Sequence, residues 1–230
     1  MNKYLFDCEN CSTRCDGISK GVYNFVSDVV YSENKENQII DVINSYAGFK
    51  AKKCELEGYP DIEVFHYASN RHFFVEIKAQ RRTFMSVKRI LPEGGLEPSE
   101  TLALNLSDLL RYFDIQKEIN EPVFILWCLE NRPCIVPDGE TYFYYQDTRV
   151  LEQIYNIVLN KRRFRRESGR GDYVNGQHKG VVVNYHFSLN ELDELNIEEL
   201  LRRGIEEWLL HMMNFVLYYL NIFKKDQIFI

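Results

Sequence analysis

Between Ile39 and Tyr46 the apolar residues Ile39, Ile40, Val42, Ile43 and Tyr46 recur at three- and four-residue spacing, the period of an amphipathic helix. The pattern predicts a helix over 33–46, with Ser32 as its N-cap and Gly48 as its stop. Past Gly48 the period shortens. Phe49–Leu56 reads as a first strand, broken by Gly58-Tyr59-Pro60. Asp61–Tyr67 follows as a second strand, Ala68–Arg71 as a turn, and His72–Ala79 as a third strand. A loop from Leu91-Pro92-Glu93-Gly94-Gly95 to Pro98 leads to a helix over 107–119, with Ser107 as its N-cap and Leu109, Leu110, Phe113 and Ile115 along it. Val123–Leu129 is apolar without interruption, the pattern of a strand covered on both faces.

The second half is less regular. A helix over 149–159 runs into a basic segment, Gly180–Phe187 alternates as a strand, and acidic-then-apolar stretches from Leu189 and over Ile197–Phe223 read as helical. Trp208–Phe223 contains no charged residue, but it is shorter than the roughly twenty apolar residues a bilayer span needs. It reads as a buried helix or as the seam of an isologous homodimer. Three parts result: a Cys-bearing cap over 1–30, a core over 31–150, and a 151–230 extension carrying the basic segment, a strand and helices. The fold class is α/β, of the α+β mixed-sheet kind.

Composition narrows the classes. The chain has 230 residues, 45% hydrophobic and 27% charged, enough for a full core in one large domain; collagen-like, coiled-coil and disordered readings are excluded. The N-terminus shows no apolar run of signal-peptide length, so a cytoplasmic location with no membrane partner is expected. Six cysteines in such a chain argue for reduced thiols rather than a disulfide scaffold. The net charge of −6 is unevenly spread: windows 71–90 and 161–180 each carry +5, which leaves −16 elsewhere. Segregation of this kind fits an electrostatic track for a polyanion, or two solvated faces.

The informative chemistry lies in the predicted hairpin. Pro60-Asp61 is followed, after fourteen residues, by Glu76-Ile77-Lys78. Residues i and i+2 of a strand share a face, so Glu76 and Lys78 point the same way. A turn centred on Ala68-Ser69 sets Asp61 opposite Glu76. A four-residue turn from Ala68 to Arg71 sets it opposite Lys78. Either register groups the three side chains, with cross-strand Cβ atoms about 5 Å apart, whereas a one-residue slip turns Asp61 away. Two carboxylates on adjacent strands make a hard-oxygen site suited to Mg²⁺, which can polarise a phosphoryl oxygen and acidify a bound water. A lysine beside them can orient or activate that water and offset transition-state charge.

This constellation resembles the PD-(D/E)XK nuclease superfamily, the restriction-endonuclease-like phosphodiesterases, over roughly residues 33–130. The resemblance implies a core of helix, three strands, helix and strand, the order read above. It implies a Mg²⁺- or Mn²⁺-dependent nuclease or endonuclease, with DNA favoured over RNA. Asp61 and Glu76 become metal-binding acids, Ile77 lends a backbone carbonyl, and Lys78 becomes the catalytic lysine. It further implies a Glu on the first helix, Glu36 in first place and Glu33 one turn earlier as the fallback, and a polar residue at Gln80.

Three other features carry expectations. Cys8, Cys11 and Cys15, with Cys54 as fourth ligand, have spacing suited to zinc or an iron–sulfur centre; His66, His72 and Asp7 are weaker options, Cys128 belongs to the core strand, and Cys134 is unassigned. Lys161, Arg162, Arg163, Arg165 and Arg166 read as phosphate contacts, with Arg81 and Arg82, just past the hairpin, placed to hold a scissile backbone. Alternative readings are a non-cleaving nucleic-acid-binding module with a Cys-bound metal, and an interaction protein using the C-terminal apolar helix.

Overall fold

The computed structural model describes residues 4–11, 25–81, 83–130, 132–165, 173–174, 177–178 and 183–206. In chain order these form α1 (Phe25–Asn44), β1 (Phe49–Lys53), β2 (Ile62–His66), β3 (Arg71–Gln80), the single turn α2 (Val87–Ile90), β4 (Thr101–Asn105), α3 (Leu106–Ile119), β5 (Val123–Leu129), β6 (Tyr142–Asp147), α4 (Thr148–Val158), β7 (Arg163–Arg165), the short pair β8 (Tyr173–Val174) and β9 (Gln177–His178), β10 (Val183–Ser188), β11 (Asp193–Glu194) and a helix α5 over 197–206. The Trp208–Phe223 segment, and with it the proposed dimer seam, lies outside the described residues. Among the described residues no helix is long and apolar enough to cross a membrane.

The main sheet is mixed, ordered β1-β2-β3-β5-β6-β11. Its first three strands are antiparallel and β5 joins β3 in parallel, a pairing that needs a crossover; α3 lies within it. The architecture is a mixed α/β fold in which helix α1, strands β1–β3, helix α3 and strand β5 follow in the expected order, with α2 and β4 inserted before α3. Strand β5 decides where the core sits. Val123, Ile125, Trp127 and Leu129 pack on one side with α3, while Phe124, Leu126 and Cys128 pack on the other with Ile39 and Ile43 of α1 and Leu200 and Leu201 of α5. Every one of its seven residues is buried, which is why its sequence does not alternate.

A second antiparallel sheet, ordered β4-β10-β7, was not foreseen. Its strand β4 lies between the loop read up to Pro98 and α3, in a stretch the sequence reading leaves without an element. Three side chains of the main sheet and its flank hold β4: Gln80 donates to Thr101 O at 3.1 Å and accepts from Ala103 N at 3.0 Å, the Trp127 indole donates to Ala103 O at 3.3 Å, and Arg132 donates to Ser99 O at 2.7 Å and Thr101 O at 3.0 Å. The buried cation of Arg132 is thereby supplied with acceptors.

Element ends differ from the sequence reading for local reasons. Helix α1 starts at Phe25 and runs through Ser32, since no Gly or Pro interrupts the segment. It ends where Gly48 takes φ +91°, a conformation open chiefly to glycine, and Asn44 at its last position exchanges two hydrogen bonds with Ala51 of β1. The N-cap of α3 is Asn105, whose side chain accepts from Ser107 N, rather than Ser107 itself. The stretch after Leu189 is a single 3₁₀ turn, Leu189–Glu191, closed by a capping box between Ser188 and Glu191. Strand β6, rich in tyrosine, pairs with β5 and was also unassigned.

Candidate active site

The β2–β3 register pairs Ile62 with Val75 and His66 with Arg71. The connection is therefore Tyr67–Asn70, centred on Ala68-Ser69, with Asn70 in the left-handed region at φ 54°, a conformation Asn tolerates well. Extended by one residue, this register places Asp61 opposite Glu76. The Asp61 N–H donates to Glu76 Oε2 at 3.2 Å, the Asp61 carboxylate accepts the Ile77 N–H at 2.8 Å, and the Lys78 ammonium is ion-paired with Glu76. Two carboxylates and one amine thus meet just past the end of β2, where the ladder no longer consumes the β3 backbone. Within a strand the N–H and C=O of one residue point to the same side. The Ile77 carbonyl is accordingly directed to the Asp61 side.

Glu76 is only 2% exposed, and a charge buried that deeply needs partners. It has Lys78, the Asp61 N–H, and the phenol of Tyr112 on α3, which hydrogen-bonds to it. Burial, the Glu76 charge and that hydrogen bond together push the Tyr112 pKa upward, so the phenol remains a donor. Tyr112 escaped the sequence reading because a tyrosine among the α3 leucines looks like packing; the available signal was that a buried phenol requires a hydrogen-bond partner.

The electrostatics single out Asp61. Burial and the neighbouring Glu76 charge raise its pKa from 3.8 to about 7, against the opposing pull of the Ile77 N–H and Lys78. Lys78 shows the complementary effect: burial alone would lower its pKa, but the Glu76 and Asp61 charges outweigh burial and hold it above the ordinary value. Its amine is protonated at neutral pH.

The donor set suits a hard divalent ion. Two adjacent carboxylates carry a repulsion that Lys78 offsets only in part and that such an ion removes, and the Ile77 carbonyl faces the same space. Among the described residues no three of His, Cys, Asp and Glu gather into a metal cluster. An ion held by Asp61 and Glu76 would therefore complete its shell with the carbonyl, waters and substrate oxygens.

The remaining sequence candidates are distributed differently. Glu36 sits on α1, whose buried residues Ile39 and Ile43 pack with Ile77 rather than on the Glu76 face; it pairs with Lys53 at 3.1 Å and reaches Asp61 only as a minor repulsive charge. Glu33 is exposed. The Gln80 amide is committed to the β4 backbone at both ends. Arg81 lies 3.4 Å from Glu130 and over the Tyr31 ring, and Arg82 lies outside the described residues. Arg162 is buried, bound to Glu191 at 2.7 Å and to Gly94 O at 3.0 Å, so it braces the fold. Lys161, Arg163 and Arg165 are exposed; Arg166 lies outside the described residues. Much of the basic 71–90 window is internally neutralised, with Arg71, Lys78 and Lys88 paired to Glu121, Glu76 and Glu97.

The cysteine centre has no support among the described residues. Cys8 contacts Ser99 at 3.3 Å, Cys54 packs against the core, and neither they nor Cys11 belongs to a metal-sized group. Cys15 lies outside the described residues. Cys128 is buried within β5, as expected, with its thiol pKa pushed up to about 12 by burial. Cys134 is exposed.

Beside Lys78 opens a cleft of about 440 Å³ between the end of β3 and the second sheet. Lys78, Ala79 and Gln80 form one side, Thr83 and Phe84 the rim, and Ala103, Leu104, Asn105, Phe164, Asn184 and His186 the second-sheet side. No sequence pattern announced it, because its lining comes from three separate stretches of chain, around Lys78, around Ala103 and from Phe164 to His186.

No family model matches the sequence, and no curated protein matches it. Among solved structures the chain is similar to Archaeoglobus fulgidus Hjc, a Holliday junction resolvase from an archaeal hyperthermophile, at 12% identity and a TM-score of 0.40, over 74% of this chain and 94% of that one.

Proposed function

We propose that the protein is a divalent-metal-dependent nuclease that hydrolyses phosphodiester bonds, with DNA as the favoured substrate. The observation that carries this reading is the meeting of Asp61, Glu76 and Lys78 at the open end of the β2–β3 ladder, beside a cleft. Asp61 and Glu76 would hold Mg²⁺ or Mn²⁺ with the Ile77 carbonyl. The bound ion supplies Lewis-acid polarisation of a phosphoryl oxygen and a lowered pKa for water.

The chain's own residues divide the rest of the work. Tyr112 and the Asp61 N–H fix the Glu76 carboxylate from two directions. The Ile77 N–H fixes that of Asp61. Lys78, protonated, serves to orient the attacking water and to offset negative charge developing on the phosphoryl oxygens, rather than to remove a proton. Lys161, Arg163 and Arg165 are the exposed cations available for backbone phosphates.

The test is direct. Labelled single- and double-stranded DNA and RNA are incubated with the protein in Mg²⁺, Mn²⁺ or EDTA. Metal-dependent cleavage that disappears in Lys78→Ala, with the fold intact by circular dichroism, supports the reading. Failure to cut any substrate in either metal refutes it.

A further inference from the structure

We infer that the cleft beside Lys78 is a pocket for one unstacked nucleobase of the strand whose backbone lies at Asp61, Glu76 and Lys78. This rests on the nuclease reading for the identity of the strand and adds to it a site for the base.

The geometry comes from the register of the second sheet. Strand β10 is central; Asn184 pairs with Asn105 on one side and with Phe164 on the other, so the three form one row across the sheet. His186, two residues on, shares the Asn184 face and pairs with Ala103. All five residues line the cleft. The rim residue Phe84 closes the aromatic wall: its ring is nearly parallel to the His186 imidazole, 5.0 Å away at 29°, and lies 5.5 Å from Phe164.

This wall has the properties a base requires. Phe84 and Phe164, half-buried at the cleft, offer flat π-surfaces on which any base can stack, and the buried His186 ring is stacked on Phe84. The buried imidazole is held neutral, with its pKa down to about 4, so it backs the wall without a charge. Its Nδ1 donates to Arg162 O at 3.1 Å, which fixes the tautomer and the ring orientation. Asn105 spends its carbonyl oxygen on Ser107 and keeps its NH₂ donors. The Asn184 carboxamide offers both a donor and an acceptor. Stacking surface with carboxamides in a row is the chemistry of base-edge recognition, and the cleft ends at the amine placed for the phosphate.

The ligand must be unstacked, because a paired base in a duplex has no free face. Substrates with single-stranded, looped or junction-distorted strands are therefore favoured over regular duplex.

The test compares a dT 12-mer with an abasic 12-mer of equal phosphate charge, by fluorescence anisotropy in EDTA. Wild type is expected to bind the base-bearing strand about tenfold or more tighter, a difference within the range of one stacked base. Phe84→Leu, which removes the ring and keeps apolar bulk, and Asn184→Ala, on the cleft surface, should each shrink that preference severalfold with the fold intact by circular dichroism. Equal binding of the two strands by wild type, or an undiminished preference in both variants, overturns the inference. Base preference without Mg²⁺-dependent cleavage leaves the pocket standing and removes the hydrolytic reading; cleavage without base preference does the reverse.

Discussion

Asp61 stands directly across the hairpin from Glu76, its backbone N–H donating to the Glu76 carboxylate at 3.2 Å while its own side chain accepts from Ile77 at 2.8 Å. The two acids are thus locked within one hairpin, and neither can swing away to relieve their repulsion. That repulsion, added to burial, places the Asp61 pKa near 7.

A pH dependence follows. The folded pKa of Asp61 lies above the ordinary 3.8, so its contribution to stability is fully present below about pH 4 and is lost as pH rises through about 7. In EDTA the wild type should lose about 2 kcal/mol relative to Asp61→Asn between pH 5 and pH 8. Asn retains an oxygen for the Ile77 N–H. Thermal melts of both proteins across that range check the sign. Mg²⁺ should raise the wild-type melting temperature at pH 8, far less at pH 5, and not in the variant.

Tyr112→Phe removes the phenol that holds Glu76 and leaves the ring in place. The buried carboxylate then lacks one partner, at a cost of about 1–3 kcal/mol. Metal affinity should fall by about 10- to 100-fold, the usual effect of losing a group that orients a ligand. Calorimetric titration with Mn²⁺ and chemical denaturation measure the two effects separately.

The basic run divides by burial. Arg162→Ala strands Glu191 and should cost about 3 kcal/mol of stability. Arg163→Ala and Arg165→Ala remove exposed cations and should leave stability within about 0.5 kcal/mol. They should instead weaken nucleic-acid binding and reduce its salt dependence by about one charge each. Urea melts and binding isotherms at several salt concentrations distinguish the two classes.

Helix α5 presses Gly204 against the Phe73 ring: a Cβ there would fall 2.5 Å from a ring carbon. Phe73 is buried in the core under β2 and β3 and cannot swing aside. Gly204→Ala should therefore destabilise by about 1–3 kcal/mol. It lies away from the acids, so cleavage by the folded fraction should be unchanged. Melting temperature and specific activity on the same sample give both numbers.

The grouping of Asp61, Glu76 and Lys78 is legible in the sequence because it is local. Fourteen residues separate Asp61 from Glu76, and strand alternation with a short turn leaves few ways to pair them. The seven apolar residues of β5 fixed a doubly covered strand for the same reason: burial on both faces erases alternation. Two registers remained open until the Tyr67–Asn70 turn set Asp61 against Glu76 rather than Lys78.

Tertiary structure alone decided what stands around that hairpin. Tyr112 reaches Glu76, Gln80 is diverted to β4, Glu36 pairs with Lys53, and Arg162 is buried while Arg163 is not. The cleft beside Lys78 unites residues 78 and 186 through a strand, β4, to which the sequence reading assigns no element. The physical reason is range. Alternation and turn chemistry act over a few residues, whereas the partner a buried polar group finds depends on which distant backbone the packing brings beside it.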